Sequence, residues 1–177
     1  GRGCPFKCSF CTIINVQGHG SRHRTADDVE RIIRTNVAQG ITKFFITDDN
    51  FARNKAWEAH FDRIIRLRDE LGVELKLTVQ VDTLCHKIPN FIEKAAAAGV
   101  RRVFIGLENI NPDNLIAAKK RQNKITEYRE MLQKWRDHGA ITAGVYSSDE
   151  SVLAAAEEVA LEVGVALSCN LTGGVYV

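Results

Sequence analysis

Ile41-Thr42-Lys43-Phe44-Phe45-Ile46-Thr47-Asp48-Asp49-Asn50 decides how this chain is read. Seven residues rich in β-branched and aromatic side chains predict a strand. The strand ends on two carboxylates and an amide. Before it, Thr25 and Asp28 form a capping pair that opens a helix. Val29, Ile32, Ile33 and Val37 give that helix one apolar stripe, and Gly40 closes it. After the strand, a second helix is expected from near Asn54 to Leu71, with Trp57, Phe61, Ile64, Ile65 and Leu71 inward and Gly72 as its stop.

The unit repeats outward from there. Val73 to Val81 reads as a strand ending near Gln80 and Asp82. Pro89 opens a helix that runs through Phe91, Ile92 and an alanine run to Gly99. Arg101 to Leu107 is a strand tipped by Glu108 and Asn109. One or two helices follow between Pro112 and His138, with Tyr128, Met131, Leu132 and Trp135 inward. Ile141 to Tyr146 is the next strand. Ser147 and Glu150 predict a capping box opening an alanine-rich helix to Val163, and Val165 to Leu171 is a weaker strand. Strands alternating with helices imply an α/β fold with a parallel sheet. Function in such sheets gathers at the C-terminal strand ends, where Asp48 to Asn50, Gln80 with Asp82, and Glu108 with Asn109 all fall.

With 177 residues the chain can build one domain with a sizeable core. A net charge of +2 makes no case for nucleic-acid binding, and no apolar run is long enough to span a membrane. The chain begins at Gly1 and its only methionine is Met131, so it reads as a fragment or excised domain. Five cysteines, three of them crowded together, do not make a disulfide framework. They point to bound metal in a reducing, cytoplasmic setting.

Those three are Cys4, Cys8 and Cys11 in Gly-Cys-Pro-Phe-Lys-Cys-Ser-Phe-Cys, a C-x3-C-x2-C spacing with Phe10 before the last cysteine. Three thiolates on one short loop can hold three corners of a cubane iron–sulfur cluster. Clusters held by protein alone normally have four cysteines, so one iron would stay open to a small molecule. The alternative is a zinc- or cluster-binding structural or interaction module without catalysis, the zinc held by these cysteines with a histidine such as His19 or His23. Zinc sites usually use paired C-x2-C knuckles, and only one such pair is present.

The cysteine loop resembles the signature of the radical S-adenosylmethionine (radical SAM) superfamily. Residues 1–139 further resemble radical SAM domains that follow cobalamin-binding domains. Phe-Phe-Ile-Thr-Asp-Asp-Asn-Phe (44–51), Gln-Val-Asp-Thr-Leu (80–84) and Ile-Gly-Leu-Glu-Asn (105–109) carry that closer likeness, and residues 140–177 diverge from it. The resemblance implies a partial (βα)6 TIM-like barrel forming one radical SAM core domain over residues 1–177. It implies a [4Fe-4S] cluster on Cys4, Cys8 and Cys11, with SAM on the open iron. Reductive cleavage of SAM would then give a 5′-deoxyadenosyl radical that takes hydrogen from a small-molecule substrate. Phe10 would lie near the adenine, Asp48, Asp49 and Asn50 would contact SAM, and Glu108 would sit near its ribose or amino group. A reductant such as flavodoxin or ferredoxin is implied, as is cobalamin bound by a preceding domain. Methyl transfer to an unactivated carbon, ring formation or another rearrangement would all fit.

The chain departs from that pattern at both ends. The first barrel strand, which normally leads into the cysteine loop, is expected to be missing. At the fifth strand, Ala143-Gly144-Val145-Tyr146 runs straight into Ser147-Ser148-Asp149, without the usual Gly-Phe-Pro-like turn. Plainer roles stay open for single residues. Asp48 and Asp49 could cap the next helix, Glu108 could serve a turn before Asn111-Pro112, and Asp82 could be structural. Cys85 and Cys169 read as buried free thiols. The Lys119-Lys120-Arg121 run reads as facing water or another domain.

Overall fold

A computed structural model describes residues 1–146, 169–170 and 174–175. Its frame is four strands: β1 (Lys43–Phe45), β2 (Lys76–Val81), β3 (Val100–Glu108) and β4 (Ile141–Tyr146), all parallel in the order β1-β2-β3-β4. Helices α3 (Trp57–Leu71), α4 (Phe91–Ala98), α5 (Pro112–Ala117) and α6 (Tyr128–Asp137) join them as the alternation predicts; α1 (Ile13–Val16), not expected from the sequence, and α2 (Ala26–Val37) precede β1. The open parallel sheet is the partial (βα)6 architecture expected of the chain. The expected Ser147–Val163 helix lies outside the described residues, as does most of the Val165–Leu171 strand. The described part of that strand, Cys169–Asn170, pairs antiparallel with Gly174–Val175 instead of extending the parallel sheet.

Local chemistry accounts for the element ends. The Thr25 side chain accepts the Asp28 N–H at 3.1 Å and donates to the Asp28 carboxylate at 3.0 Å, closing the first turn of α2. Gly72 and Gly99 end α3 and α4 in the left-handed conformation. At Gly99 a Cβ would run into the Leu75 carbonyl, so only glycine fits that approach. The helix expected from near Asn54 starts later: a 3-10 turn at Phe51–Arg53 comes first, and α3 begins at Trp57.

The two sheet faces have different work. Leu77, Val79 and Val81 of β2 and Val103, Ile105 and Leu107 of β3 are buried against the helices. Phe61, Ile64 and Leu67 of α3, Phe91 and Ile92 of α4, and Met131 and Trp135 of α6 meet them. Phe91 is central: its ring lies 5.0 Å from Trp57, 5.6 Å from Phe61 and 6.2 Å from Trp135, in tilted or edge-to-face geometry. Each such ring contributes roughly 1.5–3 kcal/mol through burial alone. The alternate residues, Gln80, Phe104, Gly106 and Glu108, face the other way and are left to build a site.

Candidate functional site

The cysteine loop is tied to the frame at three places. Arg2 and Arg22 exchange backbone hydrogen bonds at 2.7 and 2.8 Å, and Asp49 accepts the Gly3 N–H at 2.6 Å. Gly3 has φ +93° and packs where a Cβ would run into the Gly20 carbonyl. The Ser9 N–H donates to the Ala118 carbonyl at 3.0 Å, docking the loop beside the end of α5. Held this way, Cys4, Cys8 and Cys11 line one cavity, and Phe10, Asp49, Asn50 and Glu108 share it.

Asp48 does not share it. Its buried carboxylate accepts the Asn50 N–H and the Asn54 amide, both at 3.2 Å. It faces a neighbouring cavity with Phe44 and His60. Adjacent residues leaving a strand point to opposite sides, so Asp48 and Asp49 cannot both face the cysteines. Asp48 takes the turn-capping position that Asx side chains favour.

Asn50 anchors the cysteine side of the cavity. Its amide donates to Asp82 at 3.0 Å and lies 4.0 Å from the Cys4 sulfur, while its Oδ1 is buried with no protein partner. Asp82 is held in turn by a two-pronged Arg53 contact, Nε to Oδ2 at 2.5 Å and Nη2 to Oδ1 at 2.7 Å, and by the Leu84 N–H at 2.7 Å. The Asp82 hydrogen bond pushes the Arg53 guanidinium further above its ordinary range. The same guanidinium lies 5.6 Å from the Phe6 ring centre. Every strong acceptor direction of Asp82 is therefore used, which makes it a brace for Asn50.

A second charged pair closes the opposite wall. Lys120, 7% exposed, donates to Glu108 at 2.5 Å and sits 5.6 Å from the Phe10 ring centre. The pairing depends on a bulge: β3–β4 register shifts between Gly106 and Glu108, and Glu108 adopts φ +66°. A non-glycine residue in that conformation carries about 1–3 kcal/mol of strain. The surrounding bonds sustain it. Asn123 donates to the Gly106 and Leu107 carbonyls at 2.9 and 2.8 Å, and the Tyr128 hydroxyl also donates to Leu107 at 2.9 Å. Gly106 lies under the pair, where a Cβ would stand 2.7 Å from both Glu108 Oε1 and Lys120 Nζ.

These residues fit a cluster and a zwitterionic ligand. Burial pushes the Cys4 thiol above its ordinary value, opposed by hydrogen bonds from the Phe6 backbone and the Asn50 side chain. Iron bound at this half-buried thiol would displace its proton. The unpartnered Asn50 oxygen asks for a donor, as the ammonium of SAM would be. A single zinc ion fits poorly. Among the described residues no three His, Cys, Asp or Glu side chains converge to hold one metal ion, and His23 lines the Asp48 cavity.

Sequence reasoning missed Arg53, Lys120, Gln122 and Asn123. Lys119 and Arg121 are exposed as expected of a basic run, but Lys120 between them is buried and belongs to the cavity wall. The useful signal is the polar string from Lys120 to Asn123 lying between two helices that each bury one apolar face. Cys85 is core: fully buried, its thiol pushed up to about 12 by desolvation.

Comparison with known proteins finds relatives along most of this chain. Bacteriochlorophyllide d C-12(1)-methyltransferase of Chlorobaculum tepidum is 27% identical over 148 residues, covering 82% of this chain and 31% of that protein. The anaerobic magnesium-protoporphyrin IX monomethyl ester cyclase of Synechocystis sp. is 25% identical over 152 residues, covering 84% of this chain and 29% of that protein. The chain thus spans about a third of the length of these curated relatives. Among solved structures, the radical S-adenosylmethionine methyltransferase TsrM from Kitasatospora setae, with cobalamin and a [4Fe-4S] cluster bound, superposes with a TM-score of 0.74. That match has 22% identity over 92% of this chain and 33% of TsrM, and shows a shared fold. Matched over residues 1–154 by the radical SAM superfamily, in both its cysteine loop and its parallel sheet, the chain belongs to that superfamily.

Proposed function

We propose that residues 1–177 form one radical SAM core domain, most family-like over 1–139, within an enzyme that performs cobalamin-linked methyl transfer or ring formation. The carrying observation is the shared cavity of Cys4, Cys8, Cys11, Asn50 and Glu108 at the C-terminal strand ends. The relatives that are a methyltransferase and a cyclase support the reaction class. Radical SAM enzymes use a [4Fe-4S] cluster and SAM. When bound, these groups supply one-electron cleavage of the sulfonium bond and the radical chemistry that follows.

In this reading Cys4, Cys8 and Cys11 lose their protons to hold the cluster. Asn50 would accept from the SAM ammonium through Oδ1, while Asp82, itself held by Arg53, fixes the Asn50 amide nitrogen beside Cys4. Glu108 and Lys120 offer one carboxylate and one ammonium to the two charges of SAM's amino-acid end. Phe10, half exposed at the cavity mouth, covers the adenine and limits water. Asp49 fixes the cysteine loop through the Gly3 N–H, and Asp48 shapes the turn that presents Asn50. The reductant is a small electron-transfer protein of the flavodoxin or ferredoxin class. Residues 1–26 carry Arg2, Lys7, Arg22 and Arg24 and no acidic residue, a face suited to an acidic donor.

The test is anaerobic reconstitution with iron and sulfide, followed by absorption and electron paramagnetic resonance spectra with and without SAM. A reduced cluster whose signal changes on SAM addition is expected. Cys8→Ala is expected to lose the cluster. A colourless protein that retains zinc, or full cluster occupancy in Cys8→Ala, would overturn the reading.

A further inference from the structure

Among the described residues, two side chains outside the cysteine loop turn an amide toward a cysteine sulfur, Asn50 at 4.0 Å from Cys4 and, closer, Gln122, with Nε2 3.4 Å from Cys8 Sγ. Cys8 is the most buried of the three site cysteines, at 7% exposed. The position of Gln122 is not accidental to a loose loop. Its own carbonyl accepts the Thr83 hydroxyl at 3.4 Å, and the next residue, Asn123, is buried. Asn123 accepts the same hydroxyl at 3.1 Å and donates to Gly106, Leu107 and Tyr128. On the other side, the Ser9 N–H holds the cysteine loop to Ala118. Loop and donor are thus fixed to one another from both directions.

We propose that Gln122 is a positioning residue that tunes the cluster through an N–H···S hydrogen bond to the Cys8 thiolate. This rests on the reading that Cys4, Cys8 and Cys11 hold a [4Fe-4S] cluster. An amide N–H aimed at a cluster thiolate draws off negative charge, favours the reduced state and raises the reduction potential. The bond also orients Cys8 before iron arrives. Gln122 touches no reacting atom in this role.

The test is a redox titration of the reconstituted protein, read by the electron paramagnetic resonance signal of the reduced cluster. Gln122→Leu removes the donor, and Gln122→Glu replaces it with a negative acceptor of the same shape. At a fixed reductant potential the reduced-to-oxidised ratio should fall about tenfold in Gln122→Leu, a shift of about 59 mV for one electron. It should fall further in Gln122→Glu. Wild-type potentials in both variants, at equal iron content, would overturn the proposal. If the variants hold no cluster, the unaltered protein decides. Glutamine labelled with 15N at the side-chain amide should give hyperfine coupling to the reduced cluster, and the coupling should persist in Gln80→Leu. Its absence, or its loss in Gln80→Leu, would overturn the proposal. A wild-type chain that takes up no cluster overturns the cluster reading itself, and the tuning role with it.

Discussion

Asp82→Asn tests whether the site is braced as the geometry requires. The substitution keeps the shape, and the oxygen of the new amide can still accept the Leu84 N–H, but the charge facing Arg53 is removed. The Asp82 side chain is 5% exposed and the Arg53 side chain 26%. Breaking a fully buried pair costs about 3–5 kcal/mol, while exposed pairs contribute about 0–1 kcal/mol. A quarter-exposed guanidinium recovers some hydration, so a loss of about 3 kcal/mol is expected. At about 2–4 °C per kcal/mol for a chain of this size, the melting temperature should drop by about 6–12 °C. The assay is thermal unfolding of the metal-free, reduced protein followed by circular dichroism. Arg53→Met and the double variant complete the cycle. The double variant should be less destabilised than the sum of the singles by about 2 kcal/mol, because it leaves no unpaired charge. An Asp82→Asn melting point within about 2 °C of wild type, with a coupling within about 0.5 kcal/mol of zero, would refute the reasoning.

Phe91→Ala should destabilise the fold by about 3–5 kcal/mol in urea unfolding, since four aromatic neighbours surround the ring and cannot all collapse into the gap. Gly106→Ala places a methyl group against the side-chain ends of Glu108 and Lys120 and not against backbone, so stability should change by only about 1 kcal/mol. SAM binding to the reconstituted Gly106→Ala protein should weaken about tenfold in equilibrium dialysis, a loss of about 1.4 kcal/mol, and an unchanged affinity would detach the pair from the SAM site. Acid should destabilise the protein. Hydrogen bonds from Arg31, Arg34, Lys87 and Lys134 hold Asp28, Glu30, Glu127 and Glu130 below their ordinary values. The unfolded chain then binds more protons at acid pH, so this stability is present above the unfolded carboxylate values and is lost as pH falls through the lower folded ones. Melting temperatures measured from about pH 6 down to about pH 3 should fall mainly below about pH 4.

What could be read from the sequence was whatever depends on near neighbours. The β4 bounds, the Thr25 cap and the inner face of α6 follow from residue types within a few positions, and all appear as expected. The cysteine loop was legible because its three cysteines lie so close together along the chain. Asp48 was harder, because a one-residue step at a strand end reverses the face, and no local pattern says which carboxylate turns inward. Lys120 was misread for a different reason. Its burial depends on a bulge in β3 and on a left-handed Glu108, and it meets Glu108 only after α5 folds back. Arg53 carried no signal, because it lies before the expected helix and only the 3-10 turn aims it at Asp82, 29 residues away.

The same distance argument explains how fold and chemistry are joined here. Cys8 and Gln122 are 114 residues apart, Gly3 and Asp49 are 46 apart, and Asn50 and Asp82 are 32 apart. No segment of the chain can organise the cavity by itself, because each wall is pinned by a contact that exists only when the sheet is complete. The strained Glu108 is held by Asn123 and Tyr128 through the bulged carbonyls, and those two residues lead into α6, which packs Met131 and Trp135 into the core. Core stability is therefore transmitted to the cavity as geometry. Loosening α6 should release the Glu108–Lys120 pair and the Gln122 amide together, while Cys4 stays braced by Asn50 and Asp82 on the far wall. The two walls of the site answer to different parts of the core, and that separation makes the roles of their residues distinguishable by mutation.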